Sequence, residues 1–117
     1  MEQRILSLVL KKQWFDMIAK GIKKEEYRDI KTYYVSRFIC DYDFVEEETG
    51  NIVTYGRFKD YDLVRFYLGY AKNRPSMDVE FKEIVQGKGK AEWGANPNKE
   101  YFVIRLGKVL QVNNYYQ

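Results

Sequence analysis

The sequence predicts an α+β fold: two short helices near the start, then a strongly bent sheet or small barrel of five or six strands. Three observations lead there. Apolar residues fall at helical spacing only in the first third of the chain, as in Trp14, Met17 and Ile18 and again in Ile30, Tyr34 and Phe38. From Phe44 onward the apolar runs are short, rich in β-branched and aromatic residues, and separated by turn residues such as Thr49-Gly50-Asn51 and Asn73-Arg74-Pro75-Ser76. The 117 residues are 45% hydrophobic, with seven Phe, eleven Tyr and two Trp, enough for one core without staples and too few for two.

Taken in order, Leu6, Leu8 and Leu10 alternate with Ser7 and Val9 and end at Lys11-Lys12, which reads as a buried first strand. A helix follows over 13–20, and Gly21 supplies the left-handed stop. Residues 23–28 read as a loop passing into a short strand, on which Lys24, Glu26 and Arg28 share one face because side chains alternate. Asp29 is suited to cap a second helix over 30–39, whose buried side holds Ile30, Tyr34 and Phe38. Strands over 44–48 and 52–58 suggest a hairpin that carries Glu46-Glu47-Glu48, and 63–70 reads as a further strand. Met77, Val79 and Phe81 alternate with Asp78, Glu80 and Lys82 until the alternation slips at Ile84-Val85, which suggests a bulge. Residues 87–99 form the longest stretch without periodicity and contain Trp93, either a base-stacking platform or a plug over one end of the core. Strands over 101–106 and 108–112 close the sheet.

Composition removes several function classes. The chain has no histidine and one cysteine, so Ser-His-Asp and Cys-His catalysis and zinc sites of the usual ligand types are excluded, and no cofactor is implied. Cys40, beside Phe38, Ile39 and Tyr42, reads as a buried thiol in a reducing, cytoplasmic setting. No apolar run approaches the length that spans a membrane, and the start lacks a signal-peptide core. The net charge of +3 is unevenly spread: residues 1–40 carry nine Lys or Arg against five acids, 41–64 two against seven, and 65–117 nine against five. If the two basic parts meet in space they make a positive face suited to phosphates.

The densest functional signal is Gly21-Ile22-Lys23-Lys24-Glu25-Glu26-Tyr27-Arg28, where three cations, two acids and an aromatic lie at a helix-to-strand junction. Such a set can hold an anion through Lys and Arg while a carboxylate orients the cations or handles protons. A solvated connection is an equally good reading of the same residues.

With these features in order the chain resembles the ASCH family, domains named after a transcription coactivator's homology region and related in fold to PUA domains. The resemblance rests on the strand at Leu6 to Leu10, the helix through Trp14 to Gly21, and the signature G-x-K-x-x-E-x-R at Gly21, Lys23, Glu26 and Arg28. The short helix ending near Arg37 and the late strand Tyr101 to Ile104 before Gly107 add to it. It covers most of residues 1–117 as a single ASCH-like domain. It implies a small PUA-like β-barrel with two N-terminal helices, and a cleft lined by the signature that takes RNA or a nucleotide-like ligand. One branch of the family is similar to small amidohydrolases that deacylate the exocyclic amine of a modified cytidine with a lysine, a threonine and a glutamate. Lys23 matches that lysine, but Glu26 stands at the threonine position and no later glutamate is placed, which counts against the amidase. Other members are described as ribonucleases or RNA-interacting regulators of translation, and a Glu at this position is typical of the wider family.

For binding, Lys23 and Arg28 would hold a phosphate or carbonyl oxygen, with Lys12 and Lys24 as secondary cations and Glu26 accepting from an amino group. Trp14, Tyr27 and Trp93 are the candidate stacking platforms, Trp14 the weakest of them because it sits on the apolar side of a helix and reads rather as core. As the alternative, Lys23 and Glu26 would be catalytic, Glu26 as a general base and Lys23 stabilising the oxyanion or phosphorane of a hydrolase acting on RNA or a modified nucleoside. The Glu26 and Arg28 pair reads equally as a structural ion pair. A third class is a protein-interaction module, in which the acidic hairpin from Glu46 to Phe58 adds a partner's strand at an edge bearing Tyr55 and Phe58.

Overall fold

The computed structural model describes residues 2–46 and 52–115. Strand β1 (Ile5–Leu10) buries Leu6, Leu8 and Leu10 on one face, as its alternation predicts. Helix α1 (Lys12–Ala19) buries Phe15 and Ile18. It ends where Gly21 takes φ +75° and the amides of Gly21 and Ile22 turn back onto the carbonyls of Ile18 and Met17, both at 2.9 Å.

Next come β2 (Glu25–Arg28), α2 (Thr32–Phe38), β3 (Ile39–Glu46), β4 (Ile52–Phe58), β5 (Leu63–Leu68), β6 (Ser76–Lys88) and β7 (Glu100–Asn113), with one 3-10 turn at Ala91–Trp93. The chain is a small mixed α+β protein with a curled five-strand half-barrel sheet and two helices. Strand order in that sheet is β1-β5-β6-β7-β2, with β1 and β5 parallel and the other pairs antiparallel. The edges are therefore β1 and β2, the two strands that flank α1. Strands β3 and β4 form a separate antiparallel pair.

The core lies in the concavity of the half-barrel, where Phe15, Phe38, Phe66 and Phe102 are fully buried with Leu6, Ile18, Met77 and Ile104. Phe38 of α2 meets Phe102 of β7 edge to face with centroids 5.4 Å apart, so the second helix is fixed to an interior strand of the sheet. Each such side chain contributes about 1.5–3 kcal/mol on burial.

Several expectations are corrected. Asp29 does not cap α2: the chain stays extended at Lys31 (φ −143°, ψ 163°), which takes the cap position without a side-chain bond, while Asp29 accepts from Lys99 Nζ at 2.7 Å. Ile30 consequently precedes the helix, and Val35 takes the buried position beside Phe38. The strands expected over 101–106 and 108–112 run as one, because Gly107 lets Glu80 of β6 approach so closely that a Cβ there would lie 2.8 Å from the Glu80 Cβ. The slip in β6 falls earlier than Ile84, in register shifts between Asp78 and Glu83 opposite β7. Cys40 is half-buried, and its thiol donates to the Arg57 carbonyl at 3.4 Å. The hairpin is present as β3 and β4, but its expected turn, 49–51, and the acidic residues Glu47 and Glu48 lie outside the described residues, as do the Glu46 and Tyr55 side chains. Phe58, at the base of the hairpin, is exposed.

Candidate functional site

Alternation along β2 directs Glu26 inward, where it is 6% exposed. Lys23 lies just before the strand. Its amide closes the end of α1 on the Met17 carbonyl at 3.1 Å, and its side chain is 2% exposed. Lys23 Nζ stands 3.0 Å from Glu26 Oε1 and donates to the backbone carbonyl of Trp93. The rings of Trp14 and Tyr27 flank it, with centroids at 4.6 and 5.3 Å.

The other Glu26 oxygen belongs to Arg28, whose Nε and Nη2 donate to Oε2 at 3.0 and 2.7 Å. The same guanidinium donates from Nη1 to the Tyr34 hydroxyl at 3.0 Å and from Nη2 to the Val9 carbonyl at 2.8 Å. Glu26 thus sits between two cations, and among the described residues no buried side-chain nitrogen or oxygen is left without a partner. Burial pushes the Lys23 ammonium below the ordinary lysine value, with Glu26 opposing that shift.

In front of this network a cleft of about 430 Å³ opens between the end of β1, the first turns of both helices, and β2. Glu26 and Arg28 form its floor, Trp14 and Tyr34 its aromatic walls, and Lys11 and Lys31 are its exposed cations. The two helices contribute in the same way. Each has a lysine at the N-cap position and an aromatic three residues on, whose amide bonds that lysine's carbonyl: Trp14 to Lys11 at 3.1 Å and Tyr34 to Lys31 at 3.0 Å.

The structure gathers the expected residues only in part. Lys23, Glu26 and Arg28 come together, but Lys23 stands behind the cleft and Glu26 and Arg28 face it. Lys24 lies exposed just before β2 and lines a separate cavity with Glu80, Lys82 and Lys108, not the cleft of Glu26 and Arg28. Lys12 pairs along its own helix with Asp16 at 2.6 Å. Tyr27 lines the cleft but is held in place. Its hydroxyl donates to Glu25 Oε1 at 2.7 Å and accepts from the Lys90 amide at 3.0 Å, and a Cβ on Gly89 would come within 2.6 Å of its ring. Trp93 contributes its carbonyl to Lys23 while its ring, half-buried, meets Lys90 Nζ at 4.4 Å; it is neither part of the cleft nor a full plug of the core.

The residues that sequence reasoning missed are Tyr34, Lys11 and Lys31, and Trp14, ranked the weakest stacking candidate, lines the cleft. A signal was present: lysine twice occupies a position where Ser, Thr, Asp or Asn would serve the helix better, and its charge opposes the positive end of the helix dipole.

Among the described residues no group of three or more His, Cys, Asp or Glu is placed to hold a metal, and no helix is long and apolar enough to cross a membrane. Comparison with protein-family models, with curated proteins and with solved structures finds no match to this chain.

Proposed function

We propose that the protein binds RNA or a nucleotide-like ligand in this cleft, in keeping with the ASCH resemblance of its signature residues. The observation that carries the reading is the pair of N-cap lysines, each with an aromatic three residues on, that line one cleft together with a carboxylate and a guanidinium. Lys11 and Lys31 supply exposed cations for a phosphate. Trp14, with Lys23 over its ring, and Tyr34, stacked on Phe38, line the cleft with aromatic surface against which a base can pack, while Glu26 holds Lys23 and Arg28 in place behind it.

Hydrolysis asks more of the same residues. Glu26 would have to take a proton while two cations hold its oxygens, and Lys23 would have to reach a substrate from behind the cleft wall. Binding is therefore the reading that the arrangement supports better.

The test uses the protein's own fluorescence. With two Trp in the chain, Trp93→Phe leaves Trp14 as the only reporter. Titration with single-stranded RNA should quench it, with an affinity that falls as salt rises. Lys11→Ala and Lys31→Ala, both at exposed positions, should each weaken binding and lower the salt slope by about one. A Trp14 signal that no RNA or nucleotide changes at low salt would overturn the proposal.

A further inference from the structure

A second cavity, of about 230 Å³, continues the first along the outer edge of β1. Val9, Arg28 and Tyr34, the last two joined by a hydrogen bond, line both, so the two cavities adjoin there. The far cavity has its own aromatic and cationic groups in Tyr33, Tyr70 and Arg37. Tyr70 is 84% exposed and Tyr33 58%, so neither ring is consumed by the core. Arg37 donates to the Tyr33 hydroxyl at 3.1 Å and to the Ser7 carbonyl at 2.8 Å, which leaves three of its five N–H groups without a partner among the described residues.

The edge itself argues for the kind of ligand. A free sheet edge ordinarily invites an extended peptide to add a strand. Here the outward carbonyls of Ser7 and Val9 are occupied by Arg37 and Arg28. A peptide would have to displace both guanidiniums before its first main-chain bond. What the groove offers instead is cations alternating with tyrosine faces, the pattern that suits a phosphate backbone with bases stacked to one side.

We infer that the binding cleft continues past Arg28 into a second base subsite formed by Tyr33, Arg37 and Tyr70, so that its ligand is a single-stranded oligonucleotide and not a lone nucleoside. The inference rests on the binding role proposed above for the first cavity. A base in the far subsite stacks on Tyr70 or Tyr33, and Arg37 meets its phosphate.

The experiment is a titration of the full chain with a labelled ribonucleoside monophosphate, a dinucleotide and a tetranucleotide, repeated on Tyr70→Ala, Tyr70→Phe and Arg37→Gln. The tetranucleotide should bind at least about tenfold more tightly than the monophosphate. Tyr70→Ala should remove most of that gain, Tyr70→Phe should keep it, and neither should alter monophosphate affinity. Arg37→Gln should reduce the salt dependence for the longer ligands only. Equal affinity at every length, with Trp14-reported binding intact, would overturn the second subsite and leave the first standing. Failure of every length to bind would overturn both. Tighter binding of the tetranucleotide that Tyr70→Ala leaves untouched would place the extra contacts elsewhere and overturn the assignment of these residues.

Discussion

Glu26 shows how much depends on a single carboxylate. It neutralises two cations, one of them 2% exposed, and water has almost no access to replace it. Replacing one partner of a buried ion network costs more than replacing an exposed one, because the remaining charges stay desolvated and unpaired. Glu26→Gln should therefore cost about 3–5 kcal/mol in urea denaturation, a large share of a small domain's stability. A loss below about 1 kcal/mol would show that the network is strongly hydrated. Lys23 carries the opposite cost. Its folded-state pKa lies below the unfolded value of 10.5, so charged Lys23 destabilises the fold at neutral pH. That cost is relieved as pH rises from the folded to the unfolded pKa, a window in which the unfolded chain binds more protons than the native one. Lys23→Met removes the titration, so wild type should gain stability relative to this variant as pH is raised toward 10.5. Denaturation curves of both proteins at pH 7 and at successive alkaline steps check the sign. A difference that does not change with pH would mean that Lys23 titrates alike in both states.

Among the elements, the connection from β6 to β7 does the most to shape the site. The 3-10 turn at Ala91–Trp93 delivers a carbonyl to Lys23 and then reverses at Gly94, whose φ of +101° favours glycine. A Cβ there would also meet the Trp14 ring at 2.8 Å, so this glycine seats the loop against the cleft wall. Gly94→Ala should cost about 1–3 kcal/mol and shift the Trp14 emission. Gly87→Ala, where no atom lies within 4 Å of the added carbon, should change stability by less than about 0.5 kcal/mol. Equal effects from the two substitutions would sink this account of the loop. The contrast also shows what could be read in advance. Gly21 as a helix stop and the buried side of β1 were legible because each depends on neighbours within a turn or a strand. Helical spacing placed Trp14 on the inner face of α1, but it cannot say whether that face meets core or cleft, and the loop that makes the difference lies some eighty residues away. Asp29 failed as a cap for a related reason: local chemistry favours it there, whereas its tertiary partner Lys99 claims the carboxylate.

For the molecule as a whole, the question is what holds an incomplete barrel together at its open seam. The strand order leaves β1 and β2 as the two edges, and no main-chain ladder joins them. Arg28 crosses the gap: anchored on β2 through Glu26, it donates to the Val9 carbonyl of β1 and to Tyr34 of α2. The Glu26 and Arg28 pair was legible beforehand as an ion pair, but the crossing to Val9 and Tyr34 was not, because it requires the strand order, which long-range pairing of β5, β6 and β7 sets. Arginine suits the position because its planar fork bonds three partners in different directions from one charge, whereas a lysine ammonium is a single point on a flexible stem. Arg28→Lys keeps the charge and the pairing with Glu26 but cannot also reach Val9 and Tyr34. It should lower stability by about 1.5–3 kcal/mol. Its distinguishing effect is spatial. Hydrogen exchange should speed up in the short edge strand β2 and at the end of β1, while the paired centre of β6 and β7 keeps its protection until the whole domain unfolds. If Arg28→Lys instead lowered protection evenly across all five strands, the seam would be no weaker than the sheet, and Arg28 would be a stabilising residue like any other.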